Sequence, residues 1–260
     1  MSTTHTVFVG VSALLFAASA TLTTMWSASM SAMGGMLMPG GWTMSMTWMR
    51  LPGQPWPGAA ASFIGMWIVM MVAMMLPSLA PMLLCYRQAV GRTRETHLDR
   101  LTAIVGVGYF FVWGAFGMVA FALGMSLAAI EMQQPMISRA VPVAAGVVIL
   151  IAGVVQFTPW KTRHLRCCRE EATRGRHLSA DAGSAWRHGV RLGLYCGQCC
   201  ANLMVILLVV GIMDLRAMAV VTAAITAERL APPDERAARA LGAIVIGAAL
   251  VLIARATGRA

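Results

Sequence analysis

Seven apolar runs separated by polar or basic intervals organise the chain, at about residues 7–26, 62–84, 101–128, 140–158, 193–213, 217–230 and 240–255. A helix needs roughly 20 apolar residues to cross the hydrocarbon core of a bilayer, and the first five runs reach or approach that length. The last two are short, so whether they span fully is open. None of the runs alternates apolar and polar residues in the period-2 manner of a barrel strand, which argues against a β-barrel. The expected fold is an all-α integral membrane protein, a bundle of about seven transmembrane helices forming one membrane domain over residues 1–260. The first run contains AASA, which resembles a leader cleavage site. Its leading segment MSTTHT has no Lys or Arg, however, so a retained helix is expected.

Composition agrees with the pattern: 58% of residues are hydrophobic, 12% are charged, and the mean hydropathy is +0.72. The net charge of +10 would suit a nucleic-acid partner, but its placement assigns it otherwise. Fifteen of the 20 basic residues fall after the second, fourth and sixth runs, where Arg87, Lys161, Arg163, Arg166, Arg187, Arg191 and Arg229 stand. That asymmetry follows the positive-inside rule and puts the N-terminus in the cytosol and the C-terminus in the periplasm. The charge therefore reports topology, and no nucleic-acid partner is expected. Two long intervals remain. The outer loop 27–61 is rich in Gly, Pro, Met and Trp and should be irregular or embedded at the interface, with Trp42, Trp48 and Trp56 at headgroup depth. The basic cytosolic loop 159–192 has no apolar run to bury and should need a ligand or partner to become ordered.

On this topology the six cysteines gather at the cytosolic side: Cys85, Cys167, Cys168, Cys196, Cys199 and Cys200. A reducing compartment disfavours structural disulfides, so the set reads as metal ligands or redox thiols. In YCGQCC, Cys196, Cys199 and Cys200 stand at i, i+3 and i+4, which places three sulfurs on one helical face. At the start of a helix, free N–H groups and the helix dipole would also favour thiolate. Cys85, at the end of the second run, and His164, Cys167 and Cys168 in HLRCC are candidate further ligands. Packing of cysteine as a small hydrophobe is the competing reading.

Methionine is the other sulfur source. In MWIVMMVAMMLPSLAPMLLC, positions Met66, Met70, Met71, Met74, Met75 and Met82 share roughly half of the helix circumference with Pro77, Pro81, Ser78 and Trp67. Against lipid, methionine has no advantage over leucine. That side should therefore face other helices or a pathway, where a thioether either fills irregular gaps or ligates a soft cation such as Cu(I). The outer loop adds Met30, Met33, Met36, Met38, Met44, Met46 and Met49 in a region with no core to fill. Thioethers outside and thiols inside form a gradient of soft ligands pointing inward. Weaker candidates are Glu228, an intramembrane acid read either as a proton or cation group or as a snorkelled ion pair with its neighbour Arg229, and Gln156, Asn202 and Asp214, whose default role is helix-to-helix hydrogen bonding. His97, His177 and His188 are expected to be solvated loop residues. No nucleotide loop, zinc-protease helix or nucleophile elbow is present.

Three blocks together, MWIVMMVAMMLPSLAPMLLCY, QFTPWKTRHLRCCR, and GLYCGQCCANLM with GIMDL and ER, resemble an uncharacterised bacterial family of predicted metal-binding integral membrane proteins. The resemblance covers roughly residues 60 to 232. The family's inner-loop pattern is closer to a lysine followed by CLxHC. Here His164 stands at its first Cys, Cys167 at its His and Cys168 at its second Cys, an exchange among ligand types that suits a metal site. The MxxxM spacing of Met66, Met70 and Met74, and of Met71 and Met75, is also similar to the methionine filter of eukaryotic-type copper transporters, an analogy in one helix alone.

The expectation is a multi-pass protein of the bacterial inner membrane, not an enzyme, that binds a soft transition metal, copper as Cu(I) or alternatively zinc. Cys196, Cys199 and Cys200 would be its core ligands, Cys85, His164, Cys167 and Cys168 a supplementary set, and Met66, Met70, Met71, Met74, Met75 and Met82 the metal path. Partners would be the metal ion, membrane lipid, a second copy of the chain or a membrane or periplasmic metallochaperone. Two alternatives stand beside it: a membrane thiol oxidoreductase using the CxxC, and a non-catalytic subunit or assembly factor of a larger complex.

Overall fold

A computed structural model describes residues 3–32, 34–48, 53–90, 97–173, 181–230 and 236–258. The chain forms eight helices, α1 (Thr3–Ala32), α2 (Trp56–Val90), α3 (Leu98–Gln133), α4 (Pro135–Val155), α5 (Pro159–Thr173), α6 (Ala182–Val210), α7 (Leu215–Leu230) and α8 (Arg236–Thr257). A small antiparallel hairpin, β1 (Met36–Met38) with β2 (Trp42–Met44), joins α1 to α2 through one 3₁₀ turn. Six helices, α1, α2, α3, α4, α6 and α8, are long and apolar enough to cross a membrane. The run at 217–230 forms α7, whose 16 residues fall short of that length, so about seven spanning helices becomes six by this measure. The helices also extend beyond the apolar runs, because polar first and last turns are helical without being apolar.

Helices α3 and α6 share the most extensive interface, and α2 packs on α3, α1 and α7. Small residues make the α3–α6 approach close. A Cβ on Gly193 would stand 2.9 Å from the Tyr109 carbonyl oxygen, one on Gly108 2.9 Å from that of Trp186, and one on Gly189 would collide with the Val105 carbonyl. Backbones that lack side chains at the crossing gain van der Waals contact and bring Tyr109 of α3 against the cysteines of α6. At its far end α6 stops at Gly211 (φ 132°), a left-handed conformation that glycine adopts without a steric cost, and the chain turns into α7. Asp214 caps α7 by accepting from the Ala217 N–H at 2.9 Å, a local role rather than a bond between helices.

The two long intervals are more ordered than their composition suggests. The outer segment is a hairpin seated on the α3–α4 turn, where Trp42 Nε1 donates to the Ser138 carbonyl (2.9 Å) and Ser138 Oγ to that of Pro39 (3.1 Å). Met38 and Met44 are buried there against Ala128. Of the aromatic anchors, Trp56 is exposed, while Trp42 and Trp48 are half-buried against this small cluster. Met33 and Met49 lie outside the described residues, as do His177 and the arginines at 50, 92, 94, 174, 176 and 259. In the basic interval, residues 159–173 are helical, and α6 begins at Ala182 rather than near 193. The order comes from an i, i+4, i+7 stripe of Lys161, Leu165 and Cys168, all buried, that docks α5 on α6 and α2.

Candidate metal centre

Cys196, Cys199 and Cys200 are at most 1% exposed, within a single core cluster that also contains Cys168 of α5. The i, i+4 spacing sets the Cys196 and Cys200 sulfurs 4.0 Å apart. The thiols of Cys199 and Cys200 bond back to the Cys196 carbonyl at 3.2 and 2.9 Å. Cys196 lies about four turns into α6, beyond the reach of the helix N-terminus, so the expected dipole contribution to thiolate is absent. What polarises the site comes instead from other helices.

Tyr109 of α3 donates its hydroxyl to Cys196 Sγ at 3.0 Å. Arg229 of α7 donates Nη1 to the same sulfur at 3.2 Å and to Ser78 Oγ at 2.8 Å, and Nη2 to Met82 Sδ at 2.9 Å. The Cys168 thiol lies beside Cys199 and this guanidinium. Arg229 is only 4% exposed, and among the described residues it has no carboxylate within ion-pair distance. Its neighbour Glu228 is committed elsewhere. Consecutive helical residues point about 100° apart, so Glu228 turns to Lys161 Nζ at 2.7 Å and accepts from Gln156 Nε2 at 2.6 Å. The expected Glu228–Arg229 pair is thus replaced by a Lys161–Glu228 pair.

Lys161 fastens α5 to the cysteine helix. Its ammonium, with no exposed side-chain surface, donates to the Cys199 carbonyl at 2.6 Å and to Asn202 Oδ1 at 3.2 Å. Asn202 in turn donates to the Ala152 carbonyl at 3.2 Å, tying in α4. Gln156 and Asn202 therefore make the helix-to-helix bonds expected of them.

The α2 methionines belong to the same core cluster as the thiols, and Met82 is joined to Cys196 through the Arg229 guanidinium. Met70, Met71 and Met75 have no exposed surface, Met74 has 2%, and Met66 and Met82 are buried in the same cluster. Pro77 does not share their interior position. With Leu76, Ala80 and Leu84 it lines an apolar groove against Phe8, Ser12 and Phe16 of α1. Three of the anticipated ligands stand apart from the buried thiols. Cys85 is exposed, Cys167 half-buried, and His164 bonds through Nδ1 with the Trp160 carbonyl at 2.8 Å and packs on the Trp160 ring. His188, expected in solvent, is buried in α6 and stacked on Tyr86 with ring centroids 5.4 Å apart.

Sequence reasoning overlooked Lys161, Arg229, Tyr109 and Ser78 as parts of this centre. Lys161 carried a signal in its 4/3 spacing to Leu165 and Cys168. Tyr109 carried none, because its position depends on the α3–α6 crossing.

Chemically, the set is soft sulfur buried in a helix-walled interior with one cation and one hydroxyl donor aimed at Cys196. Among the described residues no three His, Cys, Asp or Glu side chains stand ready as a metal-ligand group. The Cys196–Cys200 pair is nevertheless well spaced. Two sulfurs each about 2.3 Å from a shared ion lie 4.0 Å apart when they subtend roughly 120°. Thiolates and thioethers favour Cu(I) over hard cations. Residues 64–252 match the model of the family PpoB2, described as a copper chaperone. No curated protein and no solved structure matches the chain.

Proposed function

We propose, from the premise that this chain belongs to the PpoB2 copper chaperone family, that it holds copper as Cu(I) between Cys196 and Cys200. Cys168 and Cys199 serve as the adjacent thiols through which the ion is exchanged. The observation that carries this reading is the convergence of four buried cysteines from two helices with six buried methionines from a third in one core cluster. Exchange between neighbouring sulfur ligands lets a soft ion move without ever being left uncoordinated. On this reading, Met36 at the exposed face of the hairpin offers a first thioether. Met66, Met70, Met71, Met74, Met75 and Met82 form the wall leading to the thiols, which open to the cytosolic side of the bacterial inner membrane past α5. Cys85, Cys167 and His164, nearer the surface, receive the outgoing ion or hand it to a partner protein.

The full chain purified from copper-supplemented cells is expected to carry copper well above a Cys196/Cys199/Cys200 triple-serine control. Equal copper in the two would end the reading. The path is tested separately: changing Met70, Met71, Met74 and Met75 to Leu keeps volume and apolarity but removes the thioethers. In reconstituted vesicles given Cu(I) outside, this variant should load at least about tenfold more slowly than the parent and reach the same final content. Unchanged loading kinetics would show that these residues only fill space.

A further inference from the structure

Arg229 is a permanent positive charge in the core, and its observed partners, Ser78, Cys196 and Met82, are all neutral when the thiol is protonated. The other buried cations among the described residues are already balanced, Lys161 by Glu228 and Arg87 by Asp99. An ion pair satisfied from both sides is costly enough to bury, and a lone guanidinium is costlier still unless something compensates it. Its Nη1 points at the sulfur of Cys196, which stands 4.0 Å from that of Cys200, so the compensating charge belongs on that pair.

We propose that Arg229 is the charge-balancing residue that fits the Cys196–Cys200 pair to a monovalent cation and against a divalent one. The inference rests on the copper-binding reading above. When Cu(I) replaces the protons of both thiols, two protons leave and a centre of net charge −1 forms, which Arg229 neutralises. When Zn(II) occupies the same two thiolates, the centre is neutral and Arg229 is left unbalanced beside it. Selection between the ions thus depends on the charge of the surroundings as well as on the softness of sulfur. Ser78 and Met82, on α2, hold the guanidinium in place, so the second helix contributes to selectivity through its contacts with α7 as well as through its methionines.

Competition against a Cu(I)-specific chelator and, separately, a Zn(II) chelator on the full chain in detergent tests this. Arg229→Gln should lower the ratio of Cu(I) to Zn(II) affinity about a hundredfold or more, the scale of leaving one partner of a buried pair unpaired. Arg229→Lys, which keeps the charge, should hold the ratio within about tenfold of the parent. Ser78→Asp, which cancels the charge in place, should lower the ratio as Arg229→Gln does, and it decides the matter if the Gln variant does not fold. A merely structural role would weaken both metals alike and leave the ratio unchanged, which would overturn the proposal. A Cys196→Ser/Cys200→Ser protein separates the two levels. If it binds Cu(I) like the parent, the copper site itself is misplaced. If it loses Cu(I) while the Arg229 and Ser78 variants keep the ratio, only the charge-balancing role fails.

Discussion

Cys196→Ser alone should weaken Cu(I) binding by at least about a thousandfold, while Cys85→Ser and Cys167→Ser leave it within about twofold. The difference follows from position. Cys196 is fully buried, shares a 4.0 Å sulfur contact with Cys200, and receives hydrogen bonds from Tyr109 and Arg229. Metal-binding free energy in thiol sites is of order 10 kcal/mol or more and divides among few ligands, so one central sulfur carries several kcal/mol. Serine keeps the size and the hydrogen-bond partners but offers a hard oxygen. Cys85 is exposed and Cys167 half-buried, outside the core cluster. A chelator titration of the three single variants measures this, and comparable losses in all three would mean that the ion sits nearer the surface than the buried pair.

Lys161→Ala should be the most damaging single change to stability, at about 3–5 kcal/mol. It removes the buried 2.7 Å ion pair to Glu228, itself 2% exposed, together with the donor to the Cys199 carbonyl and Asn202. A loss of that size is a large fraction of the 5–15 kcal/mol that ordinarily separates folded from unfolded states. A Lys161→Met/Glu228→Gln double variant should recover much of it, because a buried ion pair replaced by groups of similar volume is often neutral. The replacement amide can also still meet Gln156. Thermal unfolding in detergent provides the comparison. A Lys161→Ala midpoint equal to the parent's, or a double variant no better than the single, would show that α5 does not depend on this pair.

Much of this architecture was legible in the chain. Long apolar runs announce helices because a bilayer offers the backbone no other partner, and the CxxCC spacing alone brings Cys196 and Cys200 together. The confinement of methionine to half of α2 was also readable as a face turned toward other helices. Less legible was anything that depends on how helices cross. That Arg229 serves Cys196 while its neighbour Glu228 serves Lys161 follows from the rotation of α7 between α2 and α6, which local pattern does not specify. The docking of α5 was hidden because its stripe is short and one of its buried positions is a lysine, a residue that ordinarily marks a solvated face. The hairpin was obscured by composition: Gly and Pro suggest irregular chain, but the turn at Gly40 and Gly41 adopts positive φ and closes two strands of three residues.

The most direct test of the account is X-ray absorption at the copper edge on the copper-loaded full chain, run beside the Cys196→Ser/Cys200→Ser variant. The expected result is a Cu(I) edge with a coordination shell dominated by sulfur in the parent, and no such shell in the variant. A shell of nitrogen and oxygen, or a sulfur shell that survives the double substitution, would contradict the placement of copper at the buried thiols of α6.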